Sequence, residues 1–461
     1  MDKAVRRRIW GFWAFDWASQ PYFTVLLTFV FGPYFALVLS DSYMAEGLDE
    51  EAADAAATSV WSFTLTIVGL IIAVTAPVLG AFADTTGRRL PWIALFSVFY
   101  VAGAFGLWWL LPDASNVVLA LCLFGIGMIG AEFATVFTNS LLPDLAPPDE
   151  LGAISGTGFA LGYAGGVLAL AIALCLFVAQ DNGLTLIGIA PVLGLDPALK
   201  EGTRAIGPLV AFWYVVFMIP FFVWMREPKG TASQGTVGQA LSNLKASLKR
   251  LPQRVSMFAY LGSSMFYRDA LNALYGFGGT YATLVLNWSV PEVGAFGVIA
   301  ALSSAFATWI GGKIDRRLGP KPVIIAMIWI LIGVCTFVLG MTREMIWGIP
   351  LPAGSSLPDT AFFVCGAIIG SAGGVLQSAS RTMMCRHADE GRATEAFGLY
   401  ALAGKATTFL GTLLIGVVTA IFGSTRYGMA PLIVLFLIGL VLLTWVRAEG
   451  EPDFSAAEPA E

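Results

Sequence analysis

The chain has 461 residues, of which 57% are hydrophobic and only 12% charged, roughly half the ~25% of soluble domains. A surface this apolar needs lipid rather than water around it, and 33 Phe with 14 Trp suit bilayer interfaces. The net charge of −5 offers no basic field for nucleic acid, and Cys122, Cys175, Cys335, Cys365 and Cys385 lack metal spacing and read as small buried hydrophobes.

The start, MDKAVRRRIW, is basic. The apolar run behind it continues to about Leu39 without a small-residue cleavage site, so it reads as a first spanning helix rather than a removable signal. Pro21 and Pro33 are expected to kink it. Further runs near the ~20 residues a span requires follow at 58–82, 90–111, 116–138, 151–180, 205–225, 256–287, 292–312, 322–341, 360–384, 396–421 and 428–447. That gives about twelve transmembrane helices, an all-α integral membrane fold with both termini on one side. The gap between the first two spans, 40–57, carries six acidic residues and reads as a solvated outer surface. The longest polar gap, 226–254, divides the chain into an N-terminal six-helix bundle (1–225) and a C-terminal one (255–447), followed by an acidic tail (448–461).

Lysine and arginine set the orientation. Lys3, Arg6, Arg7, Arg8, Arg88, Arg89, the middle gap from Arg226 and Lys229 to Arg254, Lys313, Arg316, Arg317, Lys321, Arg381, Arg386 and Arg392 fall on one side. The other side has only Lys200, Arg204, Arg343 and Arg426. The first side is therefore expected to be cytoplasmic, with both termini there. His387, the only histidine, is expected at the surface of the loop after span ten.

The two halves repeat. Asp149-Glu150, Ala153 and Gly158 recur 240 positions later as Asp389-Glu390, Ala393 and Gly398. The loop after span two, GAFADTTGRR (80–89), is echoed after span eight by GGKIDRRLGPK (311–321), each with a glycine four residues before an aspartate. Parallel six-span repeats with a solute site between them at mid-membrane are a known way of building transporters.

The first of these loops has the form G-x-x-x-D-x-x-G-R-R and resembles the signature loop of the major facilitator superfamily. The resemblance implies a conformational latch formed by Gly80, Asp84, Gly87, Arg88 and Arg89. Asp315, Arg381 and Glu395 are expected to serve the second half, with Glu395 paired to Arg381 or Arg392. Four segments (15–36, 139–166, 265–277 and 380–411) resemble the vacuole-effluxer-like family, relatives of the fungal autophagy-linked vacuolar amino-acid effluxers. That likeness implies export of amino acids or similar small polar solutes; a bacterial inner (plasma) membrane is the expected location.

Charges inside a bilayer cost roughly 2.5–3.5 kcal/mol each on insertion scales and demand a reason. Asp16 lies about 10 Å into span one, with Gln20 and Thr24 on its face. Glu132 lies at similar depth in span four, with Thr135 and Asn139, and Lys405 lies slightly deeper in span eleven. In span seven, Arg268, Asn272 and Tyr275 share a polar face, while Asp269 turns toward Ala273 and Gly276, a small-residue face suited to a neighbouring helix. Gln377 is a further candidate in span ten. Glu132 and Arg268 are the first choices for solute or proton binding, Arg268 because its fork matches a carboxylate. Asp16, Lys405 and Asp269 fit structural pairing or gating as well.

No catalytic constellation is present in the sequence, so no enzyme is expected. No GxxxxGK[ST] loop appears, so energy must come from a gradient, with protons the expected coupling ion, or from the solute itself. The expectation is a monomeric secondary transporter working by alternating access, with solute and membrane lipid as partners. The alternative is a lipid flippase or non-transporting receptor on the same fold.

Overall fold

A computed structural model describes residues 2–180, 182–227, 236–352 and 354–451. Lys229, the rest of 228–235, and 452–461 of the acidic tail lie outside the described residues. Among the described residues, twelve helices of spanning length follow one another. They are α1 (Lys3–Ala45), α2 (Glu50–Thr86), α3 (Leu90–Trp109), α4 (Val117–Asp144), α5 (Pro148–Phe177) and α6 (Glu201–Trp224). The series continues with α7 (Val255–Leu286), then α8 (Pro291–Leu318), α9 (Pro320–Leu339), α10 (Leu357–His387), α11 (Ala393–Phe422) and α12 (Thr425–Leu443). Eleven combine length with strong apolarity. The twelfth, α7, has 32 residues but carries Arg268 and Asp269 among serines, tyrosines and an asparagine. The β structure among the described residues is a minimal hairpin, Met345–Ile346 with Ile349–Pro350.

The chain forms two compact units. One comprises Met1–Ile72, Arg88–Thr138 and Leu161–Gly230, the other Ala73–Gly87, Asn139–Ala160 and Thr231–Glu461. The first unit is cored by aromatic rings tied to backbone. Tyr22 donates to the Phe124 carbonyl (2.8 Å), and Tyr100 stacks on Tyr214 at 3.9 Å between centroids. Such bonds spare a buried hydroxyl its desolvation cost. The second unit repeats the device. Tyr260 donates to the Ser380 carbonyl (2.6 Å), and Tyr281 to that of Met341 (2.6 Å).

Several expectations change. Helix α2 begins at Glu50, so most of the acidic outer loop is helical. Asp49 accepts the Ala52 N–H (2.9 Å) and caps the alanine-rich start, whose acidic side chains stay exposed. In α1 the irregularity is a wide π turn, Tyr22–Phe29, entered at Pro21 and left before Pro33, because a proline ring displaces the carbonyl four residues back. The middle gap contains an amphipathic helix, Val237–Arg250, capped by the Thr236 hydroxyl. Cys122 is exposed and Cys175 half-buried, so these two are not core residues.

His387 is not a surface residue. Helix α10 runs on through it and leaves it 1% exposed. Its Nε2 shares a hydrogen with the Ser256 hydroxyl (2.7 Å), its Nδ1 lies 3.0 Å from the Met383 carbonyl, and its ring stacks on Tyr260. The same helix buries Arg381, near the end of the expected span, at 3% exposure.

Candidate functional site

Helix α11, expected to be continuous, is broken. Its first part, Ala393–Ala406, ends in a turn at 407–409 and restarts as Leu410–Phe422. A restart leaves N–H groups without a carbonyl four residues back. Asp269, 1% exposed on α7, fills one of these vacancies with Oδ2 3.0 Å from the Gly411 nitrogen, and Ala273 packs against Gly411. A carboxylate at a half-helix N-terminus also opposes the helix dipole favourably.

One residue earlier, Arg268 takes a different course. Its guanidinium lies over the Tyr400 ring, 4.1 Å from the centroid, and Nη1 donates to the Tyr400 carbonyl (3.0 Å). Gly404, one turn on, makes room, since a Cβ there would fall 2.5 Å from the Arg268 Cζ. Among the described residues no carboxylate pairs with Arg268. The side chain is half-buried, and Asn272 and Tyr275 on the same face are exposed. Lys405 is half-buried beside Gly404. The second unit thus gathers Arg268, Lys405 and Asn272 around a helix break, with one guanidinium edge uncommitted. Such an edge can form two parallel bonds to a carboxylate, and the ring stack holds the fork in place before the anion arrives.

Asp16 and Glu132 belong to the first unit, both half-buried. Gly162 and Gly166 of α5 lie against the Asp16 backbone and the Gln20 and Thr24 side chains. Gln377 is half-buried on α10 beside Ser378.

The latch residues occupy one end of the second unit. Asp84 accepts the N–H groups of Thr394 (3.2 Å) and Glu395 (2.7 Å), and so caps α11. Gly80, one turn earlier, permits the approach, because a Cβ there would lie 2.9 Å from the Thr394 carbonyl carbon. Gly87 closes α2 at φ +65°, a left-handed conformation glycine adopts freely. Glu395 enters through its backbone N–H, while the buried guanidinium of Arg381 serves other groups. It donates to the Ser155 hydroxyl (2.9 Å), the Ser155 carbonyl (2.8 Å) and the Asn139 Oδ1 (3.1 Å), and lies over the Phe159 ring. Glu150 pairs with Arg316. Asp315, the counterpart of Asp84, is 2% exposed against Gly152, with neither oxygen in hydrogen-bond geometry with a described residue. In the first unit Arg88 is exposed, and the Arg89 and Leu90 N–H groups both donate to the Glu227 carboxylate.

Tyr400, Gly404, Gly411, Ser155 and Glu227 were not legible as site residues. Each acts through a backbone group, a small side chain or a partner more than a hundred positions away. The 240-residue repeat placed Ser155 opposite Glu395, which was the one available signal.

Twelve long helices with this repeat and loop make the fold that of the major facilitator superfamily, a class of secondary transporters rather than enzymes, and residues 3–170 match that superfamily. Residues 149–451 match the family described as "Vacuole effluxer Atg22 like", and the chain belongs to it. An MFS-type transporter of Bacillus subtilis, YxiO, is 24% identical over 442 residues, 96% of this chain and 95% of that one. Autophagy-related protein 22 of Cryptococcus neoformans is 23% identical over 316 residues, 64% of this chain, which spans about half the length of that fungal relative (50%). Among solved structures, the human organic anion transporter MFSD10 superposes with TM-score 0.69 at 14% identity, covering 96% of this chain and all (100%) of that one. The proton:xylose symporter XylE gives 0.68 at 15%, covering 96% and 94%. At such identities these two establish fold alone.

Proposed function

We propose that this transporter moves a small solute bearing a carboxylate, an amino acid or a similar zwitterion or anion, by alternating access. The observation that carries this reading is Arg268. A half-buried guanidinium on a spanning helix, stacked on Tyr400 and lacking a carboxylate partner among the described residues, is costly unless a ligand supplies the missing charge. Lys405 adds a second cation beside it, and Asn272 can orient the solute.

Glu132 is the proposed coupling group, a half-buried carboxyl that exchanges a proton as access alternates, with Asp16 and Gln377 as further contacts. Asp269 serves the α11 break. The halves 1–225 and 255–447 are the proposed moving bundles, and the Asp84 clasp and the Arg381 interlock are the contacts that must release at this end. The lysine and arginine bias supports a cytoplasmic side for this end and for both termini; the proposed setting is a bacterial inner membrane, with the monomer as the working form.

The test is reconstitution in proteoliposomes with a radiolabelled panel of amino acids, organic anions, neutral sugars and cations, with and without a pH gradient. A carboxylate-bearing solute should be carried, and Glu132→Gln should abolish gradient-driven accumulation while sparing solute exchange. Transport restricted to neutral sugars or cations would overturn the assignment. Full accumulation by Glu132→Gln would move coupling to Asp16.

A further inference from the structure

On the outer surface of the second unit, α7, α11 and α12 leave a groove of about 530 Å³. Its lining includes Leu251, Phe258, Gly262, Met265, Leu442 and Trp445, apolar but for the Trp445 indole N–H. Phe258 is 54% and Trp445 55% exposed. On spanning helices, such exposed apolar surface faces hydrocarbon.

The groove begins where the linker helix Val237–Arg250 ends, because Leu251 is the next residue. That helix buries Ala240 and Leu244 and leaves Leu241 and Leu248 exposed, so an apolar stripe recurs at three- and four-residue steps. Lys245, Lys249 and Arg250 flank the stripe and are exposed. Among the described residues, Lys245 and Lys249 form no ion pair. Nearby acidic groups are already engaged. Asp389 and Glu451 pair with Arg254, and Glu451 also accepts the Ser256 N–H (2.7 Å). A basic amphipathic helix of this kind lies in a membrane interface and attracts anionic headgroups. Trp445 belongs at the same depth.

We infer that this groove and the lysines of the linker helix form one binding site for an anionic phospholipid of the surrounding leaflet, an acyl chain lying along Gly262 and the headgroup phosphate on Lys245 and Lys249. The two parts meet at one peptide bond, Arg250–Leu251, which fixes the spacing between charge and chain. Gly262 is what keeps the channel open. A Cβ there meets only Leu442, at 3.5 Å, so a larger side chain fills the groove without disturbing the backbone.

The test uses the full-length purified protein, stripped of lipid and titrated with phosphatidylglycerol or phosphatidylcholine of identical chains, with retention read by native mass spectrometry. The wild type should retain phosphatidylglycerol more tightly. Lys245→Gln and Lys249→Gln should each weaken it about fivefold and leave phosphatidylcholine unchanged, while Lys245→Arg/Lys249→Arg keeps the preference. Gly262→Leu should weaken both lipids alike. Equal retention of the two lipids by the wild type would overturn the site. So would a preference that survives loss of both lysine charges, or retention unaffected by Gly262→Leu.

Discussion

Arg268 lies over the ring of Tyr400, its Cζ 4.1 Å from the centroid, and donates to the carbonyl of the same residue. One residue thus grips the guanidinium twice, by face and by main chain, and the arginine is aimed before any solute arrives. A conservative exchange should expose this. Arg268→Lys keeps the charge but loses the planar fork and the stack. Solute affinity should fall about tenfold or more, the worth of a charge-assisted bond, measured by radioligand binding to the purified protein. Unchanged affinity would remove Arg268 from the site.

Gly404 offers a sharper probe, since it touches the arginine without chemistry of its own. In a helix interior, Gly→Ala alone gains roughly 0.8–1.0 kcal/mol. Here the added methyl must evict the guanidinium, whose Cζ would lie 2.5 Å from it. Gly404→Ala should therefore lose solute binding while its melting temperature holds. A variant that binds normally would show that the stacked position is not the working one.

Asp84→Asn swaps one acceptor for an amide donor that faces two N–H groups. A helix cap of this kind is worth about 0.5–2 kcal/mol, so the equilibrium between closed and open ends should shift severalfold. Transport rates should change while equilibrium binding persists. Loss of binding in a folded variant would place Asp84 in more than the latch.

The Arg381 interlock can be dissected by its partners. Ser155→Ala removes one of the guanidinium's bonds, together with the hydroxyl's two bonds to Ser378, and leaves the Ser155 carbonyl in place, whereas Arg381→Gln removes every bond from the guanidinium. Labelling of a cysteine introduced at Thr157 should rise slightly in the first and strongly in the second, and equal labelling in both would argue against an interlock.

The spans and the signature loop were legible because hydropathy is an average over many residues and the loop is a contiguous motif. The broken α11 was not. Its restart is met by a single carboxylate, Asp269, accepting one N–H at Gly411 across 142 positions, and no local pattern announces it. Arg268 was legible as a charge that demanded a reason, while its support, Tyr400 and Gly404, was silent, since a tyrosine and a glycine cost nothing in a membrane. His387 was misplaced because α10 continues past its last strongly apolar residues into an end sealed by other helices.

The Asp84 clasp reads amides, which every residue but proline presents. The clasp itself therefore does not depend on which side chains stand at 394 and 395, although both are buried and the Thr394 hydroxyl bonds to that of Ser140 (3.1 Å); within the clasp, position 84 and the clearance at 80 are decisive. A random-mutagenesis screen for variants stuck open should return changes at Asp84 and Gly80, and at 394 or 395 chiefly proline. A lock keyed to the polypeptide rather than to its letters outlasts the sequence around it.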